Sequence, residues 1–230
     1  MNTKRILDKI EHKLQDASYA REELLEDLND LILYVSAILP LPTLQTSGIV
    51  TIVGGTNSVD MPADYHCNVY RVENNVTDRV CKVVYNYKVL AEMHDGFTEA
   101  GSIVDVACEN DVLHCRKTPA TNEALTLFYN EKPTVLTDVV TSTPDCIPSH
   151  LHDPILSSYI LYDKFSEIED GIESARVNTS FYWNRFLNGM QSLQTFYPNI
   201  SLQSIYQRFA KGGVAYVQND AYKERANADG

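Results

Sequence analysis

The chain has 230 residues, enough for one large domain or two joined halves, and 44% of them are hydrophobic, as in a globular protein with a core. Its net charge of −12 argues against a protein that reads DNA sequence, although the same repulsion of phosphates suits a channel through which DNA slides. No apolar run approaches the ~18 residues of a membrane span, so no membrane partner is expected. The five cysteines are odd in number and irregularly spaced, which favours reduced thiols in a cytoplasmic setting.

The N-terminal region predicts two amphipathic helices joined as an antiparallel hairpin. A first apolar stripe runs through residues 4–16, and a second follows from Leu24 to Ile38, with Ser18 as its candidate cap and Pro40 as its stop. The early turns of the second helix carry carboxylates that favour the helix dipole and leave an acidic outer face. These residues are Glu22, Glu23, Glu26, Asp27 and Asp30.

Residues 47–146 differ in character and predict an inserted antiparallel β domain. They hold β-branched segments separated by turn residues, and Tyr87–His94 predicts a short helix. The strand candidates are residues 47–53, 59–62, 68–72, 79–84, 103–108, 112–116 and 124–129. About six or seven short strands with tight turns favour an antiparallel sheet or a small sandwich over a parallel α/β core.

Residues 147–213 return to helical patterning and are predicted to form one helical domain together with residues 1–46. Asp153 followed by Pro154 signals a helix start, and Gly171 its stop. A further helix is predicted over about residues 172–196, with a core of Phe181, Trp183, Phe186 and Leu193. Residues 214–230 are polar and predict an extended C-terminal arm. The predicted fold class is therefore α+β, a helical bundle with an inserted antiparallel β domain.

Candidate metal ligands are few. His150, His152 and Asp153 are close in sequence, but residues two apart do not share a helix face, so a helix start with local hydrogen bonding explains them better than a metal site. Cys108, His114 and Cys115 lack the paired spacing of a zinc site and predict buried thiols beside a cross-strand histidine. No catalytic, cofactor-binding or metal-binding residue is assigned, and no cofactor is expected.

Three stretches carry a family resemblance. Leu14–Asp16 with Glu23–Leu25 and Leu28–Asp30 is the first, and Val59–Tyr65 is the second. The third runs from Leu127–Tyr129 and Pro133 to Ile147-Pro148 and His152–Leu156. In this order and spacing the chain resembles the head-to-tail adaptor (connector, or neck) proteins of tailed bacteriophages.

The resemblance implies a structural virion protein without enzymatic activity, assembled in the host cytoplasm and located at the neck. It implies a ring of about twelve copies beneath the portal, in contact with downstream tail or neck proteins, with DNA passing through non-specifically. The five acidic residues of the second helix are then candidates for the channel or the subunit seam. Residues 201–230 are candidates for portal docking, through Tyr206, Arg208, Phe209, Lys211, Tyr216 and Tyr222.

Two other functions stay open from the residues alone. The β domain could be a binding module that recognises a saccharide or another virion protein through Tyr65, Tyr70, Tyr85 and Tyr87. An enzyme that uses a metal at residues 150–153 is the other alternative, and it requires a stoichiometric metal ion.

Overall fold

The structure is a computed structural model that describes residues 1–15, 19–84, 86–92, 99–169 and 176–197. The chain has mixed α+β structure and divides into two compact units. The helical unit comprises residues 1–43 and the described residues from 133 onward, and the β unit comprises residues 44–132. No helix in the described ranges is long and apolar enough to cross a membrane.

Two helices open the helical unit. Helix α1, Thr3–Leu14, starts where the Asn2 side chain accepts a hydrogen bond from the Arg5 amide at 2.9 Å, as an N-cap does. Helix α2, Arg21–Ile38, begins after Ala20, whose side chain makes no capping bond. Ser18, the predicted cap of α2, lies outside the described residues.

The connector of residues 133–148 is fastened to these two helices. The Thr3 amide donates to the Ser142 carbonyl at 2.8 Å, and its hydroxyl donates to the same carbonyl at 3.0 Å. The Asn29 side chain accepts a hydrogen bond from the Leu136 amide at 2.7 Å and donates one to the Leu136 carbonyl at 3.2 Å, so it satisfies both backbone groups of that residue. The buried Leu136 side chain anchors this contact.

The third helical region starts earlier than Asp153 and Pro154 predict. A 3₁₀ turn, Ser149–Leu151, and a π-helical turn, His152–Ser157, lead into helix α4, Ser158–Ile168. The Ser158 amide and hydroxyl both donate to the Asp153 carbonyl five residues back, which is the wide π pattern. Asp153 therefore lies inside the helical run and is not its cap, which corrects the predicted start. The predicted stop at Gly171 lies outside the described residues.

Helix α5, Val177–Phe196, packs on this region through one buried stripe. Its buried residues include Tyr182, Phe186, Met190 and Leu193, at spacings of four, four and three. The prediction that Phe181 is core is wrong, because Phe181 is 57% exposed and its neighbour Tyr182 takes the inward position, stacked on Phe165 at 5.5 Å.

The β unit is one nearly closed seven-stranded sheet. The strands are β1 Gln45–Ile52, β2 Ser58–Asp60, β3 Tyr65–Asn74, β4 Arg79–Val84, β5 Asp105–Glu109, β6 Val112–Cys115 and β7 Glu123–Glu131. Their order is β1-β7-β3-β4-β5-β6-β2, so two strands that follow each other in the chain stand at the two ends. One face buries a core that includes Ile52, Val72, Val106, Leu113, Leu125, Leu127 and Tyr129.

The sheet differs from the predicted antiparallel sheet in one pair. Strands β4 and β5 run parallel, in the register Lys82 with Asp105, whereas the other five pairs are antiparallel. The connection explains the difference, since a parallel pair needs a long crossover and not a tight turn. Residues 85–104 supply that length and include helix α3, Tyr87–Glu92, which begins where the sequence predicts.

Candidate interaction surface of the helical unit

The acidic residues of α2 fall into two groups. Glu22, Glu26 and Asp30 are exposed, and their spacing of four places them on one side of the helix. Leu33 and Tyr34 continue this side one turn further and are 44% and 42% exposed. We call these five residues the α2 stripe, which is acidic in its first half and apolar in its second.

Glu23 and Asp27 belong instead to an ion-pair cluster centred on α4. Lys164, only 4% exposed, places its Nζ 3.1 Å from Glu23 Oε1 and 2.8 Å from Asp27 Oδ2. Burial lowers the pKa of Lys164, but the bonds to Asp27 and Glu23 outweigh burial and raise the pKa above its ordinary value. These two carboxylates are therefore paired with a cation of their own unit, although Glu23 is still half-exposed, and in this pairing they differ from Glu22, Glu26 and Asp30.

A groove runs between α2 and α4 beside the stripe. Its volume is about 240 Å³, and its lining residues are Asp27, Asp30, Leu31, Tyr34, Tyr159, Ile160 and Asp163. Burial raises the pKa of Asp163 above its usual range and raises the pKa of Tyr159 to about 12. Aromatic walls with carboxylates between them suit a cationic side chain, because the ring faces and the carboxylates both attract positive charge.

Helix α1 carries the opposite charge on its outer side. Its exposed basic residues are Lys4, Arg5, His12 and Lys13, which we call the α1 basic face. The two carboxylates of α1 are held by Arg21, whose Nη2 lies 2.9 Å from Asp8 Oδ1 and whose Nη1 pairs with Glu11. Hydrogen bonding to Asp138, and then to Asp8, keeps the pKa of Arg21 raised in spite of its partial burial. The exposed charged residues of α1 are therefore the four basic residues and Asp8, and positive charge is in excess.

The histidines predicted at a helix start do not converge. His152 is buried, with Nε2 2.8 Å from the Ile147 carbonyl and Nδ1 2.8 Å from the Met1 carbonyl, and burial lowers its pKa. His150 is exposed and lies against the Phe196 ring, 5.6 Å between centroids. Within the described ranges, no group of three His, Cys, Asp or Glu side chains could hold a metal ion.

Asp153 has a structural role of its own. Its carboxylate lies 2.7 Å from Lys9 Nζ and also pairs with Arg185, so it links α1 and α5 to the start of α4. Sequence reasoning treated this residue as a cap or a ligand because its two cationic partners are far from it in the chain.

The tyrosines of the candidate β-domain binding surface are not equivalent. Tyr65 packs edge-on against the buried Tyr129, 5.7 Å between centroids, and its hydroxyl accepts a hydrogen bond from the Cys108 thiol, so it belongs to the core region of the sheet. Tyr70 is 42% exposed beside Phe128, and Tyr87 packs on His114 at 4.4 Å. Tyr85 lies outside the described residues.

The thiols of this region are packing groups. Cys115 is fully buried, and burial raises its pKa to about 12, so it stays protonated at neutral pH. Cys108 is half-buried, and burial raises its pKa as well. His114 lies against Tyr87, as an aromatic contact of the sheet.

Sequence reasoning missed four residues of the groove and its cluster: Tyr34, Tyr159, Asp163 and Lys164. One signal was available for Lys164, because Ile160 and Leu161 place it on the apolar side of α4, where a lysine needs a partner. The six candidate portal-docking residues, Tyr206, Arg208, Phe209, Lys211, Tyr216 and Tyr222, lie outside the described residues.

A family model described as SU10 adaptor protein matches residues 1–205, which include residues of both units. The chain belongs to this family. The protein is accordingly a structural phage adaptor and a component of the virion, as the sequence resemblance predicts. Membership in the family also implies contact with other virion proteins. No curated protein matches the chain.

Proposed function

We propose that this member of the SU10 adaptor family assembles as a ring beneath the portal, joins the capsid to the tail and lines the channel through which DNA leaves. The observation that carries the proposal is the family match, which extends from residue 1 to residue 205 and so takes in the helical and the β region together. A protein of this kind acts through surfaces and not through a catalytic site.

The helical unit supplies the proposed ring wall. Helices α1 and α2 would form an antiparallel hairpin that packs with α4 and α5 as a bundle, and these bundles would stand side by side, about twelve to a ring. The β unit would face outward or toward the tail and meet downstream neck or tail proteins. The chain as a whole has a net charge of −12, so a ring of such copies would repel phosphates and let DNA pass without binding.

The C-terminal residues would make the portal contact. Residues 201–230 contain aromatic and basic side chains, among them Tyr206, Arg208 and Phe209, which are residue types enriched at protein interfaces. The five acidic residues of α2 would lie at the channel or at the seam between copies.

The test is native mass spectrometry and negative-stain imaging of the full chain, alone and mixed with the portal protein of the same phage. We expect a closed ring, formed either alone or on the portal, whose mass gives the copy number. A monomer that ignores the portal in both experiments would show that the proposal is wrong, and a ligand search on the β unit would follow.

A further inference from the structure

We infer that the seam of this ring is formed by the α1 basic face of one copy docked on the α2 stripe and groove of the next. The inference rests on the proposed ring and specifies its subunit contact, which the acidic residues of α2 alone leave undecided between channel and seam. The occupant of the groove is therefore a second copy of this chain.

Charge complementarity is the first argument. The α2 stripe exposes Glu22, Glu26 and Asp30, and no ion pair among the described residues involves any of the three. The α1 basic face exposes Lys4, Arg5, His12 and Lys13. Opposite potentials on two surfaces steer their encounter and fix the register of the contact.

The internal ion pairs strengthen this difference in charge. Arg21 binds the two carboxylates of α1, so the outward charges that remain on α1 are mainly positive. Lys164 binds Glu23 and Asp27 from the inside, so the outward charges on α2 are carboxylates. The exposed charges outside these ion pairs are therefore basic on α1 and acidic on α2.

The shape and chemistry of the groove are the second argument. Its walls include the rings of Tyr34 and Tyr159, and Asp30 and Asp163 supply carboxylates beside them. An arginine or lysine that enters such a groove gains ring and carboxylate contacts together. A surface that only repels DNA needs charge but no concave aromatic lining, which favours the seam over the channel.

The two surfaces also meet the requirement of a ring. A heterologous contact joins two different patches, so every copy contacts one neighbour through the first patch and the other neighbour through the second. The α1 basic face and the α2 stripe lie on different helices, so each copy carries both halves of the contact.

Charge reversal tests the pairing. The acidic variant set is E22K/E26K/D30K, the basic set is K4E/R5E/K13E, and D60K/E109K on exposed positions of the β unit is the control. In each single-set variant both seam surfaces have the same sign, so we expect the half-assembly concentration to rise at least tenfold. The control should assemble as the wild type does.

Rescue gives the decisive measurement. A chain that carries both sets has the wild-type net charge and complementary seams again, so it should form rings. A 1:1 mixture of the two single-set variants should also form rings, with equal numbers of each variant alternating, as native mass spectrometry can count. Circular dichroism verifies folding. If the acidic set does not fold, the single substitution E26K replaces it, and if the basic set does not fold, R5E replaces it.

Three results would overturn the seam. One is assembly of either single-set variant at the wild-type concentration, which would indicate that the acidic residues line the channel and not the seam. Another is loss of assembly that neither the doubly reversed chain nor the mixture restores. If the wild-type chain forms no ring alone or on the portal, the proposed function itself is wrong, and the inferred seam, which depends on the ring, is wrong as well.

Discussion

Lys164 is a charged residue at a core position, and its surroundings explain how the fold tolerates it. The side chain is 5% exposed and meets Glu23 and Asp27, while the Tyr19 ring lies 5.1 Å from its Nζ. A buried cation without partners is costly, so the ammonium is stable here only because both carboxylates reach it. The pair thereby joins α4 to α2 at the edge of the groove.

We expect Lys164→Met to lower the free energy of unfolding by about 1–3 kcal/mol, less than the ~3–5 kcal/mol for breaking a fully buried pair, because Glu23 is half-exposed. Without the cation, no positive charge offsets the repulsion between the carboxylates of Asp27 and Asp163. Urea unfolding followed by circular dichroism measures the change. Lys88→Met, at an 82% exposed side chain, is the control and should stay within about 0.5 kcal/mol. Equal effects of the two substitutions would contradict the role of the pair.

Gly189 shows how closely α5 approaches the start of α4. A Cβ at this position would lie 2.9 Å from Ile155 Cγ1 and 3.0 Å from the Pro154 carbonyl carbon and oxygen. Backbone atoms cannot withdraw as a flexible side chain does, so the contact leaves no room for a methyl group.

Gly189→Ala should therefore destabilise the protein by about 1–3 kcal/mol, although the same change in an open helix stabilises by ~1 kcal/mol. Thermal unfolding of the variant measures the sign. Asn188→Ala, on the exposed side of the same helix, isolates helix propensity and should be neutral or slightly stabilising. A stabilised Gly189→Ala protein would mean that α5 packs less tightly than described.

At the scale of elements, helix α5 is capped by a residue from the end of α4. Its N-cap residue, Arg176, makes no side-chain capping bond. Instead, Glu169 accepts from the Asn178 amide at 3.2 Å and the Thr179 amide at 3.1 Å, and from both of their side chains. The two helices are thus joined through a carboxylate that satisfies free amides of the first turn and favours its dipole.

This cap makes stability depend on pH. Burial raises the pKa of Glu169, but the hydrogen bonds from Thr179 and Asn178 outweigh burial and lower the pKa. The cap is fully present above the unfolded-state pKa of ~4.3 and is lost as the pH falls through the lower folded-state pKa.

We expect Glu169→Ala to cost about 0.5–2 kcal/mol at pH 7 and progressively less as the pH falls below ~4. Urea titrations of both proteins across that range measure the narrowing difference, and Glu26→Ala, at an exposed position, is the control. A difference that stays constant with pH would show that the ionised carboxylate is not what caps α5.

At the scale of the whole molecule, the two units divide the proposed contacts. The chain leaves the helical unit at Thr43 and returns at Pro133, and the 44–132 segment buries a core of its own. The helical unit carries the seam surfaces that we infer. The proposed portal contact depends on residues 201–230, a segment that sequence chemistry alone suggests.

Deletion of residues 201–230 should abolish portal binding and leave the thermal unfolding of the rest of the chain nearly unchanged, because the buried residues of α5 (Tyr182, Phe186, Met190 and Leu193) all precede the deletion. Co-sedimentation with portal rings measures the binding. A full-length chain with Tyr206, Phe209, Tyr216 and Tyr222 changed to alanine keeps the length and should also fail to bind. If the chain without residues 201–230 still binds the portal, other residues make the portal contact.

Most of the elements could be predicted from sequence because their signals are local. Apolar spacing along α1 and α2, and the β-branched segments of the sheet, each lie within a window of a few residues. The errors fell where a distant residue decides. The sequence predicts Asp153 as a cap, but Lys9 and Arg185 bind its carboxylate, and it predicts Phe181 as core, but Phe165 stacks on Tyr182 instead.

The family and its structural role could be predicted from the order of the motifs. The acidic character of α2 could be predicted as well, since charge and the spacing of apolar residues are properties of the sequence alone. Which carboxylates have a cationic partner within the unit was decided only by folding. Lys164 stands 141 positions from Glu23, yet their contact separates the neutralised acids from Glu22, Glu26 and Asp30. The groove beside them likewise exists only because α2 and α4 meet, since burial and proximity depend on packing and not on the neighbours in the sequence.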